Sequence, residues 1–170
     1  QESATTEIYE KSVGFQQVRL DTFRNETISK MIPFTASNGK EFLLLAAKTS
    51  GKVIRLDPST KERRDVATGL NQPETLVLDP VTGNLLVAEQ DQISVVSKSV
   101  LEAGIASSLD IFPSAAHEEV AELLATSNTA GIAVDECTGN IFYSDQESGK
   151  ILKFNRDTQE VSTVFAGLNQ

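Results

Sequence analysis

Ser148 to Gln170, SGKILKFNRDTQEVSTVFAGLNQ, repeats the pattern of Ser50 to Gln72, SGKVIRLDPSTKERRDVATGLNQ, and this internal repeat is the strongest indication of the fold. Both stretches start with Ser-Gly-Lys and end with Gly-Leu-Asn-Gln, and they are offset by 98 residues without a gap. Two further overlays, with offsets of 56 and 41 residues, are Leu76–Gln90 on Ile132–Gln146 and Glu119–Asn128 on Glu160–Asn169. The three offsets describe one unit of about 41 residues, with about 16 extra residues in its middle copy.

Each unit has the pattern of four short β-strands joined by hairpins. In the last unit, Leu152 and Phe154 fall on one face of a strand and Ile151 and Lys153 on the other, a period of two. We expect strands at 131–135, 141–145, 151–155 and 161–166 in this unit, at 31–36, 42–47, 53–56 and 64–68 in the first, and at 75–78, 85–89 and 93–97 in the middle one.

Four-stranded units that recur about every 40 residues predict an all-β protein of the β-propeller class. The expected blades are residues 31–70, residues 71–128 with an insertion at 99–117, and residues 129–170. Residues 1–30 are expected to form an N-terminal segment that adds one or two strands to an adjoining blade, with one strand near 16–21.

The segment 114–125 of the middle unit carries two conflicting signals. Glu118 to Ala125 consists of good helix formers, and Ser114 is a suitable helix N-cap. The repeat overlay instead places the same residues in the fourth strand of the blade. We favour the strand, because tertiary context often overrides local propensity.

Several short motifs resemble known six-bladed propeller families. Phe142-Tyr143-Ser144-Asp145 followed by Gly149-Lys150-Ile151 is similar to the second strand of YWTD repeats. Gly69-Leu70-Asn71-Gln72-Pro73, with Leu78-Asp79 ahead of Gly83-Asn84-Leu85, resembles NHL repeats and the gluconolactonase and strictosidine-synthase-like propellers. The resemblance implies a ring of six blades, to which this chain contributes about three.

Six blades would need about 250 residues at this period, whereas the chain has 170. A blade cannot bury both faces alone, so an open stack leaves apolar faces and strand edges exposed. We therefore expect part of a propeller that a second polypeptide or another copy of this chain completes. Truncation by processing, or an incomplete sequence, is the alternative.

Composition excludes several classes of function. The net charge of −9, with 9 acidic and 1 basic side chain in residues 71–128, disfavours nucleic acid as a partner. The longest apolar run, Phe42 to Ala47, is too short for a transmembrane helix. A single Cys, Cys137, and a single His, His117, exclude an internal disulfide and multi-His metal ligation. We expect His117 to be a solvated surface group and Cys137 to be a small buried thiol.

Asparagines recur just before the first strand of successive units, at Asn71, Asn128 and Asn169. In the gluconolactonase-like families, Asn and acidic side chains in this zone hold calcium, so the resemblance implies these three residues and Glu74 as candidate Ca²⁺ ligands. The alternative is that each Asn caps a turn through its own backbone. We favour that role, and we expect Asp79, Asp135 and Asp145 to be turn acceptors as well.

The sequence favours a non-catalytic protein-interaction or scaffold module over an enzyme. It contains neither a G-x-S-x-G nucleophile elbow nor a phosphate-binding glycine loop. The alternative is part of a calcium-dependent lactonase or esterase-like, or strictosidine-synthase-like, propeller enzyme. Asn25-Glu26-Thr27 is an acceptor sequence for N-glycosylation, and the chain starts at Gln1 without Met. With the YWTD resemblance, these features favour an extracellular or secretory-pathway location.

Overall fold

The computed structural model describes residues 5–11, 17–104, 129 and 131–168, with the backbone alone for residues 5–11 and 17–22. Its strands are β1 (Thr5–Lys11), β2 (Gln17–Arg24), β3 (Ile28–Thr35), β4 (Glu41–Ala47), β5 (Lys52–Leu56), β6 (Arg63–Thr68), β7 (Thr75–Leu78), β8 (Leu85–Ala88), β9 (Ile93–Val96), β10 (Ile132–Val134), β11 (Ile141–Asp145), β12 (Lys150–Phe154) and β13 (Val161–Ala166). One helix, α1 (Lys98–Ala103), occurs among the described residues.

The strands form antiparallel sheets in which each strand pairs with its neighbours in the chain. The first sheet has the order β3-β4-β5-β6, the middle sheet β7-β8-β9 and the last sheet β10-β11-β12-β13. A separate two-stranded sheet, β1-β2, precedes them. The predicted fold class, about three propeller blades that do not close a ring, is confirmed.

The hairpin turns explain why the Asp and Thr-Gly-Asn positions of the repeat recur. The N–H of Gly139 donates to the carbonyl of Asp135 at 2.7 Å, and the N–H of Asp135 donates to the carbonyl of Asn140 at 2.9 Å. Asp79, Gly83 and Asn84 make the same pair of bonds in the middle sheet. Both glycines have positive φ, 70° and 74°, which a residue with a Cβ adopts only at a cost.

The core lies between successive sheets. The first sheet contributes Leu44, Ala46 and Val53 to its interface with the middle sheet, which contributes Leu76, Leu85 and Val87 from the opposite side. The other face of the middle sheet contributes Leu86 and Ile93, which contact Ile141, Tyr143 and Phe154 of the last sheet. The middle sheet is therefore covered on both faces, as expected for an internal blade of a stack.

The end of β2 lies against the face of the first sheet that points away from the middle sheet. Phe23 of β2 is 5% exposed and belongs to a cluster with Leu45, Ala47, Ile54 and Leu56. The guanidinium of Arg63 lies over the Phe23 ring, 4.8 Å from its centroid. The N-terminal segment thus contains two strands, and Phe23 at the end of β2 is part of the core on this side of the first sheet.

Helix α1 follows β9 directly and is fixed at both ends. Ser97 is its N-cap and Gly104, with a φ of 64°, its C-cap. Arg55 of the first sheet donates to the carbonyls of Leu101 and Glu102, at 2.7 and 2.6 Å, and its guanidinium lies over the Phe42 ring. The helix occupies the start of the predicted insertion at 99–117. The rest of that insertion, with His117, and the disputed segment 114–125 lie outside the described residues.

Candidate interaction site

Within the described part of the chain, the last sheet has one face covered by the middle sheet and a second, open face that no other sheet covers. In its register, Ala133 is opposite Phe142, Phe142 is opposite Lys153, and Ile151 is opposite both Ser144 and Phe165. Directly opposed residues lie on the same face of an antiparallel sheet. The open face therefore consists of Ala133, Phe142, Ser144, Ile151, Lys153, Ser162 and Phe165.

The repeat offsets identify the equivalent residues in the other two sheets and show whether they are buried. With the offset of 98, Phe142 corresponds to Leu44 and Ile151 to Val53, which are both fully buried against the middle sheet. With the offset of 56, Phe142 corresponds to Leu86, which is buried against the last sheet. The same face is thus covered by the next sheet in two units, whereas no sheet of the described residues covers it in the third.

Exposure on this sheet is greatest along its outer strand. Phe165 is 52% exposed, and the neighbouring Val164 and Leu168 are exposed to a similar degree. Ile151 and Phe142 are half-buried. Exposed large apolar side chains close together on a protein surface are typical of an interaction site, so this face is the main candidate site of the described residues. The open face could have been found from the sequence by combining the strand alternation with the 98-residue offset.

A polar junction joins the loops on one edge of the middle sheet. Glu89, directly after β8, is completely buried, and its carboxylate accepts hydrogen bonds from the Asn71 N–H, the Ser94 hydroxyl and the Gln92 amide. The N–H of Gln90 in turn donates to the carbonyl of Asn71 at 3.0 Å. These bonds fix the loop that enters β7 against the loop between β8 and β9.

Two of the four candidate calcium ligands lie in the described region. Asn71 is exposed, and Glu74 is half-buried with its carboxylate paired to the Lys48 ammonium. Asn128 and Asn169 lie outside the described residues. Within the described part of the chain, His, Cys, Asp and Glu side chains do not gather in groups of three or more that could hold a metal ion.

Acidic residues after the strands act as turn acceptors, as predicted. Asp79 accepts from the N–H of Val81 at 3.0 Å, Asp135 from that of Cys137 at 2.8 Å, and Asp145 from that of Glu147 at 3.0 Å. The expectation of a buried thiol was wrong, because Cys137 is exposed. It lies in the hairpin turn that the Asp135 carboxylate fixes. Asn25 is exposed in the turn after β2, with a φ of 57°.

Charged and polar groups strengthen the covered interface between the middle and last sheets. Arg156 donates to Asp79 at 2.8 Å and to the carbonyl of Gly139 at 3.0 Å. Burial alone would raise the pKa of Asp79, but hydrogen bonds from Thr82 and Arg156 outweigh it and hold that pKa below its ordinary value. Burial, with the nearby charge of Asp145, raises the pKa of Tyr143 to about 12, so this phenol stays neutral.

Comparison with solved structures supports the propeller class. The chain is similar to an auxiliary nutrient binding protein from Bacteroides thetaiotaomicron VPI-5482, with a TM-score of 0.61 and 14% identity over 82% of this chain and 30% of the other. It is also similar to a chain of the nidogen/laminin complex, with a TM-score of 0.61 and 12% identity over 96% of this chain and 62% of the other. A third match, to an extracellular domain (BT4673) of B. thetaiotaomicron, has a TM-score of 0.53 and 19% identity over 78% and 18% of the two chains.

These likenesses define the fold class, a propeller-like stack of β-sheets. The chain spans less than two thirds of the length of each of the three matched chains. No family model matches the sequence, and no curated protein matches it. Among the described residues, no helix has the length and apolar character needed to cross a membrane.

Proposed function

We propose that this chain is a non-catalytic protein-interaction module whose open face docks a further propeller blade, supplied by another chain or by a second copy. The observation that carries the proposal is the equivalence of Phe142 and Ile151 with Leu44 and Val53, which the next sheet buries. The open face has the register and apolar residues of a blade interface, so a four-stranded sheet with an apolar face is the occupant that fits it.

The assignment of a binding role and an extracellular location rests on the same open face and on the matched structures. One matched protein is described as nutrient binding, one comes from a nidogen/laminin complex and one is an extracellular domain, which supports a binding role and an extracellular location. This proposal includes the assignment of the motifs to YWTD-like and NHL-like repeats. It also includes a complete ring of six blades and the division of this chain into blades at residues 31–70, 71–128 and 129–170.

Sedimentation velocity over a concentration series tests whether a second copy of this chain supplies the docked blade. Because Ile151 and Phe165 lie on the open face, replacing both with lysine places two extra positive charges where an apolar sheet would pack. We expect the unaltered chain to sediment with a mass above 18.4 kDa and the Ile151→Lys/Phe165→Lys variant to sediment as one chain. The matched control is Val81→Lys, a change at a residue that is 58% exposed in a hairpin turn.

Circular dichroism distinguishes lost association from lost folding, because the open-face variant should keep its strand signal. A single-chain mass for the unaltered protein at every concentration would exclude the second copy as the source. An associated mass that the double variant retains would exclude the open face as the docking surface.

A further inference from the structure

We infer that Asn25 carries an N-linked glycan. It begins Asn25-Glu26-Thr27, the one N-x-[ST] triplet in the sequence, and this triplet is the acceptor pattern for N-glycosylation. Because so short a pattern also arises by chance, the structure around it has to admit a glycan. Three observations show that it does: the exposure of the triplet, the hydrogen bonds that hold its turn, and the place of the turn in the stack of sheets.

The triplet lies in a surface turn between strands of two different sheets. Strand β2 ends at Arg24 and strand β3 begins at Ile28, so the triplet is the whole of the connection. Asn25 and Thr27, the two residues that define the acceptor pattern, are exposed, and Glu26 between them is half-buried. The φ of Asn25 is 57°, in the left-handed region where Asn is enriched. A bulky group on the Asn25 amide therefore extends into solvent rather than into the packed interior.

Among the described residues, the hydrogen bonds that hold this turn use neither the Asn25 amide nor the Thr27 hydroxyl. The Glu26 carboxylate accepts from the N–H of Thr49 at 2.8 Å. The N–H of Thr27 donates to the Thr49 hydroxyl at 3.2 Å, and the Thr27 carbonyl accepts from the N–H of Lys48 at 2.8 Å. The turn is thus held by the Glu26 side chain and by the backbone, so a glycan on Asn25 leaves these bonds in place.

The modification transfers an oligosaccharide to the side-chain nitrogen of Asn25. The donor is an oligosaccharide linked through its anomeric carbon to a lipid diphosphate. The Asn25 nitrogen forms a bond to that carbon and loses one proton, while the bond from the carbon to the diphosphate oxygen breaks. The lipid diphosphate leaves with the electron pair of the broken bond, so no oxidant or reductant takes part. The product has the same amide with one N–H replaced by a sugar.

A glycan at this turn leaves the open face accessible, so the site is independent of the proposed function. The bond between Thr27 and Lys48 places the turn beside the loop that joins β4 to β5 of the first sheet. Phe142 and Ile151 of the open face belong to the last sheet. The middle sheet lies between these two sheets, because its two faces contact one each. The glycan therefore occupies an edge of the first sheet, on the far side of the middle sheet from the open face.

The mass of the protein isolated from the cells that make it tests the inference. Peptide N-glycosidase removes an N-linked glycan and converts its asparagine to aspartate. Trypsin cleaves after Arg24 and Lys30, so residues 25–30 form one peptide with a single asparagine. In water labelled with oxygen-18, the glycosidase should lower the mass of the denatured chain and place the label in this peptide. A matched sample without the glycosidase should show neither change. A chain that keeps its mass, or an unlabelled peptide, would overturn the inference.

Variants of the triplet separate the acceptor pattern from the turn that contains it. The full chain is secreted from cells that N-glycosylate their proteins, and its mass is read after denaturation, so a variant that folds poorly still gives a result. Asn25→Gln and Thr27→Ala should each lose the glycosidase-sensitive mass, whereas Thr27→Ser keeps the acceptor hydroxyl and should retain it. The Ile151→Lys/Phe165→Lys variant should also retain it, which distinguishes a failure here from a failure of the proposed function. Glycosidase-sensitive mass that persists in Asn25→Gln or in Thr27→Ala would overturn the inference.

Discussion

Arg156 of the last sheet and Asp79 of the middle sheet form an ion pair at 2.8 Å across the interface between two repeat units. Asp79 is almost completely buried, and its second hydrogen-bond donor on the same oxygen is the Thr82 hydroxyl at 2.6 Å. Because Asp79 occupies the same turn position as Asp135 of the last sheet, the pair connects a repeated turn to the stacking of the sheets. The middle and last units are thereby stabilised by each other, as expected for repeat architectures.

Replacing Arg156 should destabilise the chain more than replacing an exposed arginine. Arg156→Met leaves the Asp79 carboxylate buried without its charged donor and should lower the free energy of unfolding by about 2 kcal/mol, measured by urea denaturation. Arg64→Met is the matched control, since Arg64 pairs with Glu62 at the surface and such pairs contribute about 0–1 kcal/mol. Equal losses for the two variants would show that the Asp79–Arg156 pair has no special role.

The depressed pKa of Asp79 predicts a stability that falls in acid. The pKa of Asp79 is lower in the folded protein than in the unfolded chain, where it is about 3.9. The ionised carboxylate therefore stabilises the fold at pH values above the unfolded-state pKa, and this contribution is lost as the pH falls through the folded-state pKa. The difference in unfolding free energy between the native chain and Asp79→Asn should therefore be largest near neutral pH and shrink below about pH 4. A difference that stays constant from pH 7 to pH 2 would contradict this assignment.

Gly104 and Gly39 provide a matched pair for the contact between α1 and the first sheet. Both have positive φ, but a Cβ at Gly104 would lie 2.0 Å from Arg55 Nη2, whereas one at Gly39 would meet no atom within 4 Å. Gly39→Ala should cost about 1 kcal/mol from backbone strain. Gly104→Ala should cost at least about 1 kcal/mol more, because it displaces the guanidinium from the carbonyls of Leu101 and Glu102. Thermal and urea unfolding of both variants would check this, and equal costs would contradict it.

Calcium should leave the melting temperature of this chain unchanged. The Glu74 carboxylate is already paired with Lys48, so a cation at this position would have to displace an ammonium group. A ligand that binds the folded state alone raises its stability, so melting curves with calcium and with chelator test the alternative enzyme assignment directly. A large calcium-dependent rise, abolished by Asn71→Ala, would favour the lactonase-like alternative over the interaction module.

The repeat made most of the sheet architecture predictable. The bounds of Thr75–Leu78, Ile141–Asp145 and Val161–Ala166 agree with the expected strands, because period-two alternation and turn residues coincide there. The strand β1 was not located, because residues 1–30 contain no stretch that overlays on another unit. The strand pairs β1-β2, β5-β6 and β12-β13 each contain a β-bulge, at which one residue of the second strand is left unpaired. These bulges depend on the geometry of strand pairing, which the amino-acid sequence alone does not specify.

The candidate site was only partly predictable. The sequence indicated that a face would be exposed, and the register then assigned that face to Phe142, Ile151 and Phe165. The link between Asp79 and Arg156 joins residues 77 positions apart and depends on how two sheets stack, so no local pattern indicates it. The exposure of Cys137 follows from the turn that Asp135 fixes, whereas composition alone favoured burial.

The open face would lie against another blade in the assembled protein, and the mass of the protein isolated from the cells that make it tests this most directly. Native mass spectrometry after gentle isolation should give a mass greater than that of the denatured polypeptide, because another chain or a second copy covers Phe142, Ile151 and Phe165. Equal native and denatured masses would contradict the account, since no separate polypeptide would then cover that face.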